Sequence, residues 1–235
     1  MTELATNYPT PQTKDNYAQF CLTNMENIDA YSLRSEYENI LSQIKELGYD
    51  EIVKKFFDTL PILWTEKYKT FSSRLTDICI VSNGSFHYIF DDVPTDEESS
   101  IKDPTRYESR IVTVYGISSQ QKNKRDDGRL RGWIGRTEEI FGKSWDKGHF
   151  IAHSFGGAID RNELNAFPQK RTLNRGWSPQ GKIYRKMERY CCDNTGIFCF
   201  NRPIYLDETF RPTLLEFGIL TINKNLWIEL FDNRQ

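Results

Sequence analysis

Trp145-Asp146-Lys147-Gly148-His149-Phe150-Ile151-Ala152-His153-Ser154-Phe155-Gly156-Gly157, followed by Phe167-Pro168-Gln169 and Leu173-Asn174-Arg175-Gly176-Trp177, is the stretch around which this 235-residue chain is organised. It sets a histidine directly behind a glycine and an amide side chain about one supersecondary unit later. Both fall in the most basic part of the sequence. Residues 121–190 hold 16 Lys and Arg against 8 Asp and Glu, leaving 15 against 25 elsewhere, in a chain of net charge −2. A run of charge is ordinarily only a solvated face. One that coincides with a histidine motif inside an otherwise acidic chain points to a local polyanion site.

Upstream, the chain changes character at Asp77. From Ala30 to Leu60 the apolar residues recur at helical spacing: Leu33, Tyr37, Ile40, Leu41, Ile44 and Leu47, then Ile52, Val53, Phe56, Phe57 and Leu60. Gly48 interrupts the pattern, Asp50 is placed to cap a second helix and Pro61 to end it, with a third helical segment over 62–75. This region carries no catalytic signature and reads as a helical packing or partner-binding module. At Asp77 the period shortens to two. Ile78-Cys79-Ile80-Val81 and Phe86-His87-Tyr88-Ile89-Phe90 flank Asn83-Gly84, a hairpin signal. His87, in an aromatic strand without acidic neighbours, reads as structural. Residues 91–104 read as an acidic surface loop, Arg110 to Tyr115 as a strand, and 118–131 as a basic loop suited to phosphates.

Downstream, Gly181 to Tyr190 reads as a helix, and 196–200, 213–222 and 225–231 as three strands. The expected fold class is α+β: a mixed, mainly antiparallel sheet with a helix inserted, preceded by a small helical region. The expected division is a helical region, 1–75, and a sheet-containing domain, 76–235.

Composition narrows the classes further. The hydrophobic fraction of 38% and charged fraction of 27% are those of an ordinary globular chain, long enough to bury a core. No window approaches 18 uncharged apolar residues, so neither a membrane-spanning helix nor a membrane partner is expected. Residues 1–9 lack the basic and apolar regions of a cleaved signal peptide. The five cysteines (Cys21, Cys79, Cys191, Cys192 and Cys199) are odd in number and hold no C-x-x-C pair. They read as reduced thiols rather than a disulfide framework or zinc site.

The motif residues suit phosphodiester chemistry. Hydrolysis needs an activated water, a sink for charge on the phosphate and help for the leaving oxygen. A histidine titrating near neutrality is an efficient base for that water, and His149 is the candidate. Gly148 would let the backbone turn close to the substrate. Asn174 offers an amide oxygen to a hard cation such as Mg²⁺, which favours oxygen ligands and keeps several waters that Glu188 can hold. Lys147, Arg171, Arg175, Arg185 and Lys186 are candidates to pair with phosphates. Each alone has a structural reading, Asn174 as the N-cap of the following helix among them. His149 and His153 at i, i+4 would form a zinc pair on a helix. Gly148 and Gly156-Gly157, however, bracket a β-like run, so His153 reads as a neighbour that touches phosphate or packs beneath the base.

Taken in order, Gly148-His149-Phe150-Ile151-Ala152, Phe155-Gly156-Gly157, Asn162-Glu163-Leu164-Asn165, Pro168-Gln169, Leu173-Asn174-Arg175-Gly176-Trp177 and Met187-Glu188 resemble the His-Me finger (ββα-metal) nucleases. The resemblance is to the DNA/RNA non-specific endonuclease family, in its bacterial polymorphic-toxin-like branch. It covers residues 146–188; the surrounding strands are similar only in pattern, and residues 1–75 lie outside it. It implies a Mg²⁺-dependent endonuclease acting on DNA and/or RNA with little sequence specificity, with Mn²⁺ able to substitute. His149 would be the general base, Asn174 the ligand of a single metal ion, and Glu188 the carboxylate that orders the metal's waters. Asp146 would shape the strand end that presents His149. Lys147, His153, Arg171 and Arg175 would contact substrate, and an arginine from an earlier segment, Arg129 or Arg131, would stabilise the transition state. There are two departures. Lys147 stands where the best-known variant has Arg, keeping the charge without the bidentate fork. Ser178-Pro179-Gln180-Gly181 lengthen the interval from Asn174 to Glu188.

Two other readings stand beside this one. A non-catalytic nucleic-acid-binding module with a nuclease-like fold is opposed by the joint presence of His149, Asn174 and Glu188. A zinc hydrolase would use His149 and His153. The toxin-like motif and the separate helical N-terminus suggest a bacterial toxin or phage-defence effector, cytoplasmic or delivered into a target cell. Residues 1–75 would recruit an assembly partner, and an inhibitory immunity protein would offer an acidic surface to the basic cleft.

Overall fold

The change of hydrophobic period at Asp77 separates two layers of one fold. In the computed structural model the described residues are 28–72, 77–92, 109–120, 142–158, 164–206 and 209–234. The helical spacing before Asp77 becomes a 3₁₀ turn at Ile28–Tyr31, then α1 (Arg34–Ile44) and α2 (Tyr49–Phe71). The start of α2 differs from expectation: Gly48, not Asp50, is the cap residue, and the Glu51 carboxylate reaches back to accept its N–H at 3.0 Å. Pro61 lies inside α2 instead of ending it, so the second and third expected helices are one. An interior proline removes a helical hydrogen bond and crowds the preceding turn, at about 3 kcal/mol. Leu60 and Trp64 on either side are fully buried, and burial contributes about 1.5–3 kcal/mol for a side chain of that size. Together they outweigh the proline.

Six strands form the main sheet: β1 (Asp77–Asn83), β2 (Phe86–Asp92), β3 (Arg110–Ile117), β6 (Phe198–Ile204), β7 (Leu214–Leu220) and β8 (Leu226–Asp232). Their spatial order is β1-β2-β3-β6-β7-β8, with every neighbouring pair antiparallel. Between β3 and β6 the chain leaves this sheet to form a two-stranded ribbon, β4 (Trp145–His149) with β5 (Ala166–Lys170), followed by α3 (Arg171–Asn174) and α4 (Pro179–Asp193). The fold class is α+β.

Both faces of the sheet are covered, and the alternation of side chains along each strand decides what faces where, interrupted in β3 where a register shift against β2 leaves Val112 without a partner there. Tyr88, Val114, Cys199 and Phe217 point to the ribbon side and pack with Phe150, Phe155, Phe167, Tyr184 and Met187. Ile89, Val112, Tyr115, Phe198 and Phe200 point to the other side and pack with Tyr37, Phe56, Leu60 and Trp64 of the two helices. Residues on both sides of position 75 therefore share one core.

Several local expectations are revised. Asp91 and Asp92 belong to β2 instead of an acidic loop; Asp91 is fully buried and accepts a hydrogen bond from the Tyr68 hydroxyl. The rest of that loop, like residues 121–131 of the basic loop with Arg129 and Arg131, lies outside the described residues. The stretch after Gly148 is not continuously β-like: β4 ends at His149 and a 3₁₀ turn occupies His153–Phe155. His87 is held by Ser82 at 2.8 Å and stacks on Tyr115, which fits a structural role.

Candidate functional site

The ribbon pairs Asp146 with Gln169, Lys147 with Pro168, Gly148 with Phe167 and His149 with Ala166. Pro168 is tolerated because a two-stranded ribbon leaves one edge of each strand without ladder bonds. That edge of β5 is closed by the buried Asn233 side chain, which accepts from the Lys170 N–H at 2.8 Å and donates to the Pro168 carbonyl at 3.0 Å. Gly148 is required for a reason other than the one expected. A Cβ there would lie 2.2 Å from Gln169 Oε1 and 2.4 Å from Gln169 Cβ, so the glycine admits the buried Gln169 across the ribbon.

The segment after His149 is clamped by Asn165, a residue the sequence motif includes but gives no role. Its amide accepts from the Ile151 N–H at 2.9 Å and donates to the Ile151 carbonyl at 2.7 Å and the Ala158 carbonyl at 3.1 Å. Gly156 takes a left-handed backbone, φ 114°, and Gly157 lies so close to the Ile151 carbonyl that no side chain fits. Both glycines close the turn onto the clamp.

Asp146 is the centre of a four-bond cluster. Arg175 donates to it through Nε (2.7 Å) and Nη2 (2.9 Å), Arg171 through Nε (2.9 Å) and Asn174 through Nδ2 (3.1 Å). Burial opposes ionisation of Asp146, but the donors from Arg175, Asn174 and Arg171 outweigh it and hold its pKa below the ordinary value. A carboxylate only accepts, so Asn174 must present its amide nitrogen to it, which turns Oδ1 the other way. Asn174 ends α3 and is not the cap of the next helix; Ser178 is, accepting the Gly181 N–H at 2.9 Å. Arg171 and Arg175, expected on phosphates, engage Asp146.

On α4, Tyr184, Glu188 and Cys192 recur at i, i+4, i+8 and share one face. The Tyr184 hydroxyl donates to the His149 carbonyl at 3.4 Å, and the Cys192 thiol donates to Ser154 Oγ at 3.1 Å. Glu188 lies between Tyr184 and Cys192 on the helix and lines the adjoining groove. Burial pushes Glu188 up from 4.5 to about 7, and the partly exposed Arg185, donating at 2.7 Å, offsets only part of that. Tyr184 is driven far above its ordinary pKa by burial and by the Glu188 charge, so it remains a neutral donor. Asn201, unremarked in the sequence, donates from Nδ2 to the Phe150 carbonyl at 2.9 Å and to the Tyr184 hydroxyl at 3.2 Å.

An open groove of about 680 Å³ runs beside this face, lined by Arg175, Lys182, Arg185, Lys186, Glu188 and Arg189 among others. Lys147 lies mid-β4, half-buried, and half-buried His153 opens the 3₁₀ turn. His149 and His153 thus lie on a strand end and a turn, not on one helix face, so they do not form a helical i, i+4 pair. Among the described residues no group of three or more His, Cys, Asp or Glu is placed to hold a metal.

No protein-family model matches this chain, and no curated protein matches it. Among solved structures it is similar to NucA from Streptococcus agalactiae with magnesium ion bound, at 14% identity and a TM-score of 0.39, over 68% of this chain and 86% of that one. It is similar to the same protein with no metal bound at 14% identity and a TM-score of 0.40, over 67% and 84%. At that distance, the roles of individual side chains rest on the ribbon and helix geometry alone.

Proposed function

We propose that this chain is a metal-dependent endonuclease that hydrolyses phosphodiester bonds of DNA and/or RNA with little sequence specificity. The observation that carries the reading is the Asn174–Asp146 hydrogen bond. It fixes the amide at the end of α3 against the β4 strand that ends in His149, with its oxygen turned away from the carboxylate. The donor set fits a hard divalent cation: one amide oxygen, with a carboxylate nearby, suits Mg²⁺, which keeps several of its waters. Glu188 fits too, since a nearly buried carboxylate beside a half-exposed arginine is stabilised by further positive charge.

Asn174 Oδ1 would hold the ion, Mg²⁺ or Mn²⁺, and Glu188 would accept hydrogen bonds from its waters. The chemistry a bound ion supplies is neutralisation of charge on the phosphate and on the leaving oxygen. His149 takes a proton from the attacking water, whose oxygen forms the new bond to phosphorus. The bond from phosphorus to the leaving sugar oxygen breaks, and that oxygen is protonated from solvent. Asp146 holds Asn174 in place, Tyr184 and Asn201 fix the backbone at His149 and Phe150, and the α4 cations hold the strand by its phosphates. Contacts to phosphate rather than to base edges give weak sequence preference.

The biological setting we propose is that of a bacterial toxin or defence effector. It is supported by the order of motif residues from Gly148 to Glu188, with an assembly or immunity partner and a cytoplasmic site of action.

The test is cleavage of supercoiled plasmid and total RNA by purified full-length protein in Mg²⁺, in EDTA, and with His149→Ala. Cleavage should require metal and fall by about 10²–10⁴-fold in His149→Ala. Substrates left intact in every metal but shifted in a gel would replace the reading with a binding module.

A further inference from the structure

We propose that Trp177 is a stacking platform for an unpaired nucleobase, so that the site grips single-stranded DNA or RNA more tightly than duplex. This rests on the nuclease reading and names its substrate class. Among the described tryptophans, Trp64 and Trp145 are fully buried and Trp227 is half-buried, whereas Trp177 is 62% exposed. A large indole left in water forgoes the burial that places most tryptophans inside. Yet Trp177 is firmly positioned. Its backbone N–H donates to the Thr172 carbonyl at 2.9 Å, and the Arg175 guanidinium lies over its ring at 5.1 Å. That guanidinium is itself fixed by its two hydrogen bonds to Asp146. A cation lies over the ring, and most of the residue's surface remains in solvent, open to a stacking partner.

The location gives the platform its purpose. Trp177 follows Asn174 by three residues and sits at the rim of the basic groove, whose lining includes Gly176. A strand whose phosphates lie on Lys182, Arg185, Lys186 and Arg189 would bring a base to the exposed indole. Every nucleobase has a π-face, so stacking of this kind tolerates any sequence. In a duplex both faces of each base are already taken by neighbours, and the base must first be pulled from the stack. The platform therefore favours strands whose bases are free.

The experiment measures steady-state cleavage by full-length protein, in Mg²⁺, of one labelled oligonucleotide single-stranded and in a hairpin duplex of the same sequence. The proteins are wild type, Trp177→Ala, Trp177→Phe and His149→Ala. Wild type should prefer the single strand, and Trp177→Ala should raise its KM by about ten-fold or more, with a much smaller change on the duplex. Trp177→Phe should retain most of the preference. Wild type preferring duplex, equal losses on both substrates in Trp177→Ala, or a Phe variant as impaired as the Ala variant would overturn the proposal. Absence of His149-dependent cleavage on either substrate overturns the nuclease reading instead. Anisotropy binding of the same oligonucleotides then decides the platform: loss of single-strand preference in Trp177→Ala sustains it, and unchanged affinities reject it.

Discussion

Replacing Glu216 by Gln probes how the helical layer is held to the sheet. Glu216 on β7 is fully buried. Its Oε1 accepts from Ser32 Oγ at 2.7 Å and from the Leu33 N–H at 2.8 Å; its Oε2 accepts from the Tyr37 hydroxyl and from Arg202 Nε, each at 2.7 Å. Arg202 also donates to the Tyr31 carbonyl at 2.6 Å, and Trp64 Nε1 donates to the Tyr37 hydroxyl at 2.8 Å. Burial opposes ionisation of Glu216, but Arg202, Ser32 and Tyr37 outweigh it and hold its pKa below the ordinary value. The contribution of this carboxylate is therefore present above its unfolded pKa and lost as pH falls through the lower folded value. Glu216→Gln leaves the Arg202 charge buried without its counter-charge, a loss of about 3–5 kcal/mol. At about 2–4 °C per kcal/mol for a chain of this size, Tm should fall by roughly 6–20 °C. Thermal and urea unfolding of Glu216→Leu, Arg202→Met and the double variant complete a cycle. The double variant should lose less than the two singles together, because it removes the stranded charge, although Ser32, Leu33 and Tyr37 still lack their acceptor. A fall below about 1 kcal/mol in Glu216→Gln, or singles that add within about 0.5 kcal/mol, would refute this account. The same contacts predict that fragment 76–235 will not reproduce the full chain, since removing the helices bares Phe198 and Phe200 to water.

Glu188 gives a pH dependence of the opposite sign. It is raised from 4.5 to about 7 by burial, so between these values the folded chain keeps a proton that the unfolded chain has released; metal-free stability is full below the lower value and declines by on the order of 3 kcal/mol as pH rises through the upper one. Urea unfolding in EDTA at about pH 5 and about pH 8 should show that slope in wild type and not in Glu188→Gln, and parallel curves would count against it. Gly148→Ala should lose about 1–3 kcal/mol by overpacking against Gln169, and Gln169→Ala in the same chain should recover most of it. A tolerated Gly148→Ala, with unchanged Tm, would mean that Gln169 moves aside freely.

Much of the fold is legible in local pattern, because the hydrophobic period changes from 3.6 to 2 at Asp77 and stays readable through β8. What escapes is decided by partners distant in sequence. Pro61 reads as a helix end until Leu60 and Trp64 are seen buried against β3 and β6. Gly148 reads as a backbone hinge until the ribbon register sets Gln169 against it. Asn165, Asn201 and Asn233 have the composition of turn residues; their work as clamps depends on carbonyls that only the fold brings near. For the candidate site, the sequence marks His149, Asn174 and Glu188 by order and spacing. It marks Arg171 and Arg175 as substrate contacts by charge and resemblance, and neither says whether a guanidinium faces a phosphate or a carboxylate.

That distinction changes how the site's charge is distributed. Asp146 draws on both arginines, so the cluster of two cations and one anion presents about one net positive charge. In return the carboxylate sets the orientation of the Asn174 amide and steadies the guanidinium that backs Trp177. The residue expected to shape a strand end thus orients the proposed metal ligand and the stacking platform together. In the proposed function, grip on a polyanion then falls mainly to the cations of α4 that line the groove, Lys182, Arg185, Lys186 and Arg189. Their helical spacing spreads them along the groove rather than concentrating them at the ribbon. A strand held along α4 and oriented at its end by Asn174 and Trp177 is the arrangement that this division of charge favours.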